Sequence, residues 1–170
     1  MKMERELETA RLRLRPCRLE DFESVYGLWT DEHVRRFLFD GRIVSPGEAR
    51  AFVEASLSNF ERRGYGLWLV YARGGESLVG FAGLLGAEEG EAPNLIYGFR
   101  PDCCGRGYAT EAARAVLDYA AQGLRLNLIK ADVDEPNAAS VRVLEKLGMR
   151  RTGRAVVEGR PLLYYEAGGS

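Results

Sequence analysis

Lysine is scarce in this 170-residue chain, confined to Lys2, Lys130 and Lys146, so arginine carries nearly all of the positive charge. Lysine and arginine total 24 against 25 acidic residues, for a net charge of -1. A chain so balanced has no basic field with which to hold a nucleic acid. Histidine occurs once, as His33, and cysteine three times, as Cys17, Cys103 and Cys104. Neighbouring cysteines rarely pair with one another, and the odd count leaves no disulfide framework. One histidine and no CxxC spacing supply too few ligands for a zinc site. No apolar run reaches the length of a membrane span. The charged stretch Met1 to Glu8 has no apolar signal region behind it. These absences together predict a cytoplasmic protein in reducing surroundings, without a metal, a nucleic-acid partner or a membrane partner.

The residues present describe an ordinary globular chain, 46% hydrophobic and 29% charged. The length suits one domain over 1–170 with a substantial core. Leu12 and Leu14 alternate with arginines and predict a strand that Pro16 ends. Phe22, Val25, Tyr26 and Trp29 recur at helical spacing, and Val34, Phe37 and Leu38 mark a second short helix. Ser45-Pro46-Gly47-Glu48 reads as a capping box that opens a longer helix, stopping near Gly64. Tyr65 to Ala72 and Ser77 to Leu85 flank Gly74-Gly75 as an antiparallel hairpin. Asn94 to Arg100 follows the acidic turn Glu88 to Glu91 as another strand. A helix through Ala112 and Val116, a strand at Leu128 to Val133 and a helix at Asn137 to Leu147 come next, with Gly148 as C′ glycine. Arg151 to Val157 and Pro161 to Glu166 close the chain as a hairpin. The order predicts a mixed α/β (α+β) domain with an antiparallel centre and one parallel β-α-β step.

The strongest chemical signal is Cys104-Gly105-Arg106-Gly107-Tyr108-Ala109-Thr110-Glu111-Ala112, between a strand and a helix. A helix start leaves its first N–H groups unpaired and its dipole makes that end positive. Gly105 and Gly107 let the backbone approach a phosphate, and Arg106 adds a cation. The same glycines also suit a plain strand-to-helix turn. A P-loop is excluded, because no Gly-Lys-Ser/Thr closes a longer loop. A dinucleotide fingerprint fails at Thr110, although Asp132 stands at a tolerable distance for a ribose. The second signal is Asp134-Glu135-Pro136-Asn137-Ala138-Ala139-Ser140, which opens the next helix. Asn137 is a sound N-cap with Ser140 near N3, yet capping alone leaves the whole Asn-x-x-Ser stretch unexplained.

Taken in order, the two motifs resemble the GNAT superfamily of acetyl-CoA-dependent N-acetyltransferases, in particular its RimJ/RimL-like branch. Gly105 to Ala112 matches that branch's Gly-Lys/Arg-Gly-Tyr-Ala-Thr-Glu-Ala stretch. Asn137, Ser140 and Leu144 to Met149 match its Asn-x-x-Ser and Leu-Glu-Lys-Leu-Gly-Phe, with Met149 in place of phenylalanine. Thr9 to Pro16 looks like the branch's opening strand, and Trp29 to Leu38 is similar too. One departure is Cys104, where the superfamily's loop carries glutamine or arginine. The resemblance implies a twisted, mostly antiparallel sheet of about seven strands flanked by helices. It also implies a splayed cleft between the fourth and fifth strands, Asn94 to Arg100 and Leu128 to Val133.

The same resemblance implies direct acetyl transfer from acetyl-CoA (coenzyme A) to a primary amine, without an acyl-enzyme. Backbone N–H groups from Gly105 to Thr110, including those of Arg106, Gly107, Tyr108 and Ala109, would hold the pyrophosphate. The pantetheine arm would lie along Phe99 and Arg100, and Asn137 would orient it. An N–H of Phe99 or a neighbour would polarise the acetyl carbonyl. Ser140 would protonate the leaving thiolate. No base stands out: Glu88, Glu89, Glu91, Asp134, Glu135 and His33 are the candidates. Tyr97 shares a strand face with Phe99 and reads first as core. Trp29, Glu32, His33 and Phe39 are expected near the acceptor, which the resemblance leaves between a protein N-terminus and a small-molecule amine. A homodimer through the C-terminal strands is common in the family. Two other readings stand beside this one. The first is a non-catalytic acyl-CoA sensor on the same fold. The second is nucleophilic catalysis by Cys104, whose thiol a helix start would acidify but whose nearest histidine is distant in sequence.

Overall fold

The structure is a computed structural model, in which residues 5–38, 42–86 and 91–168 are described. Its strands are β1 (Leu7–Glu8), β2 (Leu12–Pro16), β3 (Leu67–Ala72), β4 (Leu78–Leu85), β5 (Asn94–Phe99), β6 (Leu128–Asp134), β7 (Arg150–Val157) and β8 (Arg160–Gly168). They form one 8-stranded sheet in the order β1-β2-β3-β4-β5-β6-β8-β7. The expected count of about seven misses β1, a two-residue strand that pairs Leu7 with Leu14. Two residues are too few to show a period. The helices are α1 (Phe22–Thr30), α2 (Glu32–Leu38), α3 (Pro46–Arg63), α4 (Tyr108–Asp118) and α5 (Ala138–Lys146). Among the described residues no helix is long and apolar enough to cross a membrane. The acidic turn expected at Glu88 to Glu91 lies largely outside the described residues.

Each face of the sheet has its own core. Leu67, Leu69 and Phe81 pack toward α1 and α3, while Trp68, Val70, Ala82 and Leu84 pack toward α4. The run Leu67 to Tyr71 is therefore apolar throughout rather than alternating, because helices cover both sides of β3. Trp68 anchors the α4 side. It is fully buried, edge-on to Phe60 at 4.9 Å and to Tyr119 at 5.4 Å, and its Nε1 donates to the Arg5 carbonyl at 2.7 Å.

Local signals set most element ends. The Ser45 hydroxyl accepts the Glu48 N–H at 3.1 Å, and Pro46 occupies the first turn of α3. The β7–β8 hairpin turns on Glu158 and Gly159, at φ 52° and 79°, the two left-handed residues of a type I′ turn. Gly148, at φ 79°, stops α5 as expected, with its N–H on the Glu145 carbonyl at 3.0 Å and the Met149 N–H on that of Leu144 at 3.1 Å.

The β5–β6 pair decides where a ligand can enter. These strands are parallel and share a single register pair, Asn94 with Lys130. Past it they part, while β6 stays zipped to β8 from Leu128 to Asp134. A gap opens in mid-sheet, and α4 begins at its upper end. That start is held by Glu111 in the first turn of α4. Its carboxylate accepts from the Thr9 hydroxyl, from the Arg11 N–H at 2.9 Å and from Arg11 Nε at 2.8 Å. The Arg11 guanidinium also lies 4.7 Å over the Tyr108 ring. Partial burial alone would raise the Glu111 carboxyl, but the Thr9 and Arg11 donors outweigh it and hold the group below its usual range.

Two outcomes follow for stability. Trp68→Ala should cost about 3–5 kcal/mol in urea unfolding, the range for emptying an aromatic site in a packed core. Glu111→Gln should cost about 1–2 kcal/mol at neutral pH, since charge-assisted bonds weaken to neutral ones. Because the folded-state pKa is depressed, that contribution is complete above the unfolded carboxylate range. It disappears as pH falls through the folded value. Unfolding curves of both proteins should therefore converge in acid, and a gap that stays constant with pH would refute the assignment.

Candidate active site

The gap between β5 and β6 is the mouth of a cleft of about 870 Å³. Its chemistry starts with the backbone. The Arg100 N–H bonds the Val79 carbonyl at 3.0 Å, and Gly80 pairs with Phe99. Hydrogen bonding alternates along an antiparallel strand, so Gly98 and Ile96 also direct their groups at β4. Tyr97 and Phe99 direct theirs the other way, into the gap where β6 has diverged. An extended arm laid in the cleft would meet a strand edge there, at Tyr97 and Phe99. Arg100 departs from the expectation. Its N–H is taken by Val79, its carbonyl receives the Cys103 N–H at 2.9 Å, and its guanidinium pairs with Asp102 at 3.1 Å. β5 has ended at Phe99 and a 3-10 turn over Pro101–Cys103 follows, so Arg100 faces away from the cleft.

The next segment is the glycine loop. Gly105 and Gly107 both sit at positive φ, 79° and 80°, where a side chain is strained. Gly107 is the N-cap of α4, and no side chain caps the helix. The N–H groups of Tyr108, Ala109 and Thr110 are thereby left with no acceptor inside the helix. Gly105, Gly107, Tyr108, Ala109 and Thr110 all line the cleft. Arg106 does not; it is exposed on the outer side of the loop, where it adds charge at a distance.

α5 brings the second motif to the opposite wall. Asn137 caps α5, its Oδ1 accepting the Ser140 N–H at 3.2 Å. The capping reading of Asn137 is thus structurally met, and the residue also lines the cleft. Ser140 Oγ lies 2.5 Å from Tyr97 Oη, and the phenol reaches the Ser140 carbonyl at 3.3 Å. Ser140 and Phe99 line the same cleft. Burial pushes the Tyr97 phenol up to about 12, against a smaller lowering by the Ser140 contact. Tyr97 therefore stays neutral at physiological pH and completes a hydroxyl pair with Ser140. Its position beside Phe99 on one strand face is legible in the sequence; its contact with α5, 43 residues on, is not.

The candidate bases divide. Asp134 is buried against Arg160 at 2.6 Å, and Glu135 pairs with Arg154 at 2.5 Å. Glu91 is exposed and does not line the cleft, and Glu88 and Glu89 lie outside the described residues. Trp29 and His33 reach the cleft wall, whereas Glu32 does not, and Phe39 lies outside the described residues. The fold closes a gap of 71 residues to set His33 Nε2 3.4 Å from Cys104 Sγ. The histidine remote in sequence is a neighbour in space. Partial burial, with Cys103 and Asp102 close by, nonetheless raises the Cys104 thiol, the reverse of an activated nucleophile. Asp132, which the sequence suggests only as a ribose ligand, is a further acidic residue at the site. It lines the cleft, and the alternation Ile129, Lys130, Ala131, Asp132, Val133 is the signal that places it opposite the core.

Known proteins resemble this chain in sequence and in fold. Residues 11–150 match the family described as acetyltransferase (GNAT) domain. "Uncharacterized N-acetyltransferase YnaD" of Bacillus subtilis is 29% identical over 147 residues, covering 86% of this chain and 84% of that protein. The "FsC-acetyl coenzyme A-N(2)-transacetylase" of Aspergillus fumigatus is 33% identical over 153 residues, covering 84% of this chain and 64% of that protein. Among solved structures, a GNAT-family acetyltransferase from Bacillus anthracis superposes with a TM-score of 0.79 at 27% identity, covering 96% of this chain and 98% of that one. The ribosomal-protein acetyltransferase RimL in complex with coenzyme A reaches a TM-score of 0.82 at 16% identity, covering 96% and 97%, and shows the shared fold. With its splayed sheet, uncapped α4 and family match over most of its length, the chain belongs to the GNAT family and is an N-acetyltransferase.

Proposed function

We propose that the chain transfers the acetyl group of acetyl-CoA directly to a primary amine inside the β5–β6 gap. One observation carries this reading. The free strand edge at Tyr97 and Phe99 runs straight to the uncapped start of α4, with the Ser140 hydroxyl beside it. That combination suits a long donor with an anionic end and a strand-like arm. The pyrophosphate would take the N–H groups of Tyr108 to Thr110, which supply a fixed positive potential. The arm would pair with the backbone of Phe99, and Asn137 would steady it. The N–H of Tyr97 or Phe99 would polarise the thioester carbonyl, an oxyanion-hole role performed by preorganised donors. Ser140 would give its proton to the departing sulfur, with Tyr97 holding the hydroxyl in place.

The resemblance to enzymes acting on protein N-termini leaves the acceptor as a protein or small-molecule amine. Aliphatic amines are protonated at neutral pH, so the site needs a means of removing a proton before attack. Isothermal titration with acetyl-CoA, followed by thiol release over peptides, polyamines, amino acids and amine-bearing antibiotics, tests the reading. Gly107→Asp should abolish acetyl-CoA binding, because it sets a carboxylate at the phosphate end of α4. Ser140→Ala should bind acetyl-CoA as well as the wild type and lower kcat by about 10- to 100-fold, at the lower end of general acid–base effects. A wild-type chain that binds acetyl-CoA and acetylates no amine in the panel would instead be a sensor.

A further inference from the structure

β6 turns two different sides to the sheet's two faces. Ile129, Ala131 and Val133 are buried on the α4 side, so Lys130, Asp132 and Asp134 face the side occupied by α1 and α2. There Asp134 is spent on Arg160 at 2.6 Å. Asp132 lines the cleft and makes no hydrogen bond or ion pair among the described residues. Its height in the gap follows from register. Asn94 pairs with Lys130 in parallel, and two residues along each strand bring Ile96 and Asp132 level. Tyr97, the next residue of β5, holds Ser140 from the opposite face. A thioester lying in the gap would have a hydroxyl on one side and an unclaimed carboxylate on the other.

We propose that Asp132 is the residue that receives the acceptor as an ammonium ion and takes its proton. The inference rests on the transferase reading above and specifies its acceptor as an aliphatic primary amine that enters as a cation. The ammonium nitrogen gives one proton to the Asp132 carboxylate, and its lone pair attacks the acetyl carbonyl carbon. A C–N bond forms and the C–S bond breaks. The departing sulfur takes the Ser140 proton, which the nitrogen's second proton replaces. Asp132 then releases the first proton to solvent. Ammonium and thioester thus become amide, thiol and one free proton.

The surroundings favour proton uptake by this carboxylate. Asp132 is solvent-exposed at the open side of the cleft, and partial desolvation by the cleft walls raises its carboxyl above its usual range, so it accepts a proton more readily than a fully hydrated aspartate. The charged and titratable groups around it are Lys130 and Asp134 on its own strand face, and Tyr164 and Glu166 paired across on β8. Glu158 and Arg160 at the β7–β8 turn, and His33 and Arg36 from α2, line the same cleft. Arg160 is committed to Asp134, so it does not neutralise Asp132 directly.

Asp132→Asn keeps the shape, and the side chain has no hydrogen-bond partner to lose, so melting temperature and acetyl-CoA affinity should match the wild type. The acceptor probes are benzylamine, a cation at neutral pH, and aniline, neutral there. The variant should lose at least about 100-fold in kcat/KM for benzylamine, within the range for removing a general base. Aniline needs no deprotonation before attack, and its one departing proton goes to Ser140, so its kcat/KM should change by less than about 3-fold on the same scale. For benzylamine the variant's kcat/KM should climb with pH, because only free amine reacts, and Asp132→Glu should recover part of the loss. Equal losses for the two amines, or no loss for either, would overturn the role of Asp132. Wild-type protein that binds acetyl-CoA but transfers to neither probe nor to any amine of the panel would remove the transferase reading, and Asp132's role with it.

Discussion

The structure depends on one broken ladder. After Asn94 and Lys130, the parallel pair β5–β6 stops exchanging hydrogen bonds, and Tyr97 and Phe99 face the gap with no strand opposite them. Backbone groups withdrawn from water demand partners, so such an edge is costly unless solvent or a ligand satisfies it. The rest of the sheet meets that cost. β6 is locked to β8 along its whole length, β5 is locked to β4, and helices seal both faces. The sheet is rigid on either side of a gap it does not close. On the proposed reading, such a preformed gap would receive an extended arm with little reorganisation, which lowers the entropic cost of binding.

The polar groups around that gap fall into two kinds. Those with structural duties are saturated: Asp134 with Arg160, Glu135 with Arg154, Glu111 with Thr9 and Arg11. Those facing the gap are left partly unsatisfied: the first N–H groups of α4, the Ser140–Tyr97 hydroxyl pair and the Asp132 carboxylate. Gly107 shows how closely the two kinds adjoin. As a glycine N-cap it adopts φ 80° and brings no side chain of its own, while Glu111 on the same turn fastens α4 to the segment before β2. Cys104 and His33 meet at the loop's exposed edge, where their contact links the loop to α2.

Much of this is legible in residue order, because the signals are local. Ser45 before Pro46 opens α3, Glu158-Gly159 turns the last hairpin, and Asn137 with Ser140 begins α5. The glycine loop is recognisable for the same reason: positive φ and an unpaired helix start are properties of a few consecutive residues. Arg100 shows what spacing leaves open. Its place at the end of a strand suggests contact with the arm, yet the strand stops one residue earlier and the 3-10 turn claims its backbone. Asp132 is the opposite case. It looks like one more charged residue on a strand, and its lack of a partner among the described residues emerges only when β8 and the β7–β8 turn take their places beside it.

The sequence by itself determined most of the element order, the glycine loop before α4, the caps and the resemblance to a family of acetyl transferases, since each is written in spacing over a few residues. Tertiary structure decided which groups share the cleft. It set Tyr97 against Ser140, brought His33 to Cys104, turned Arg100 and Arg106 outward, and left Asp132 unpaired beside an occupied Asp134. The physical reason is that a side chain's chemistry depends on what satisfies or withholds its hydrogen bonds. For residues 43 or 71 positions apart, only the packing of the sheet and helices makes that choice.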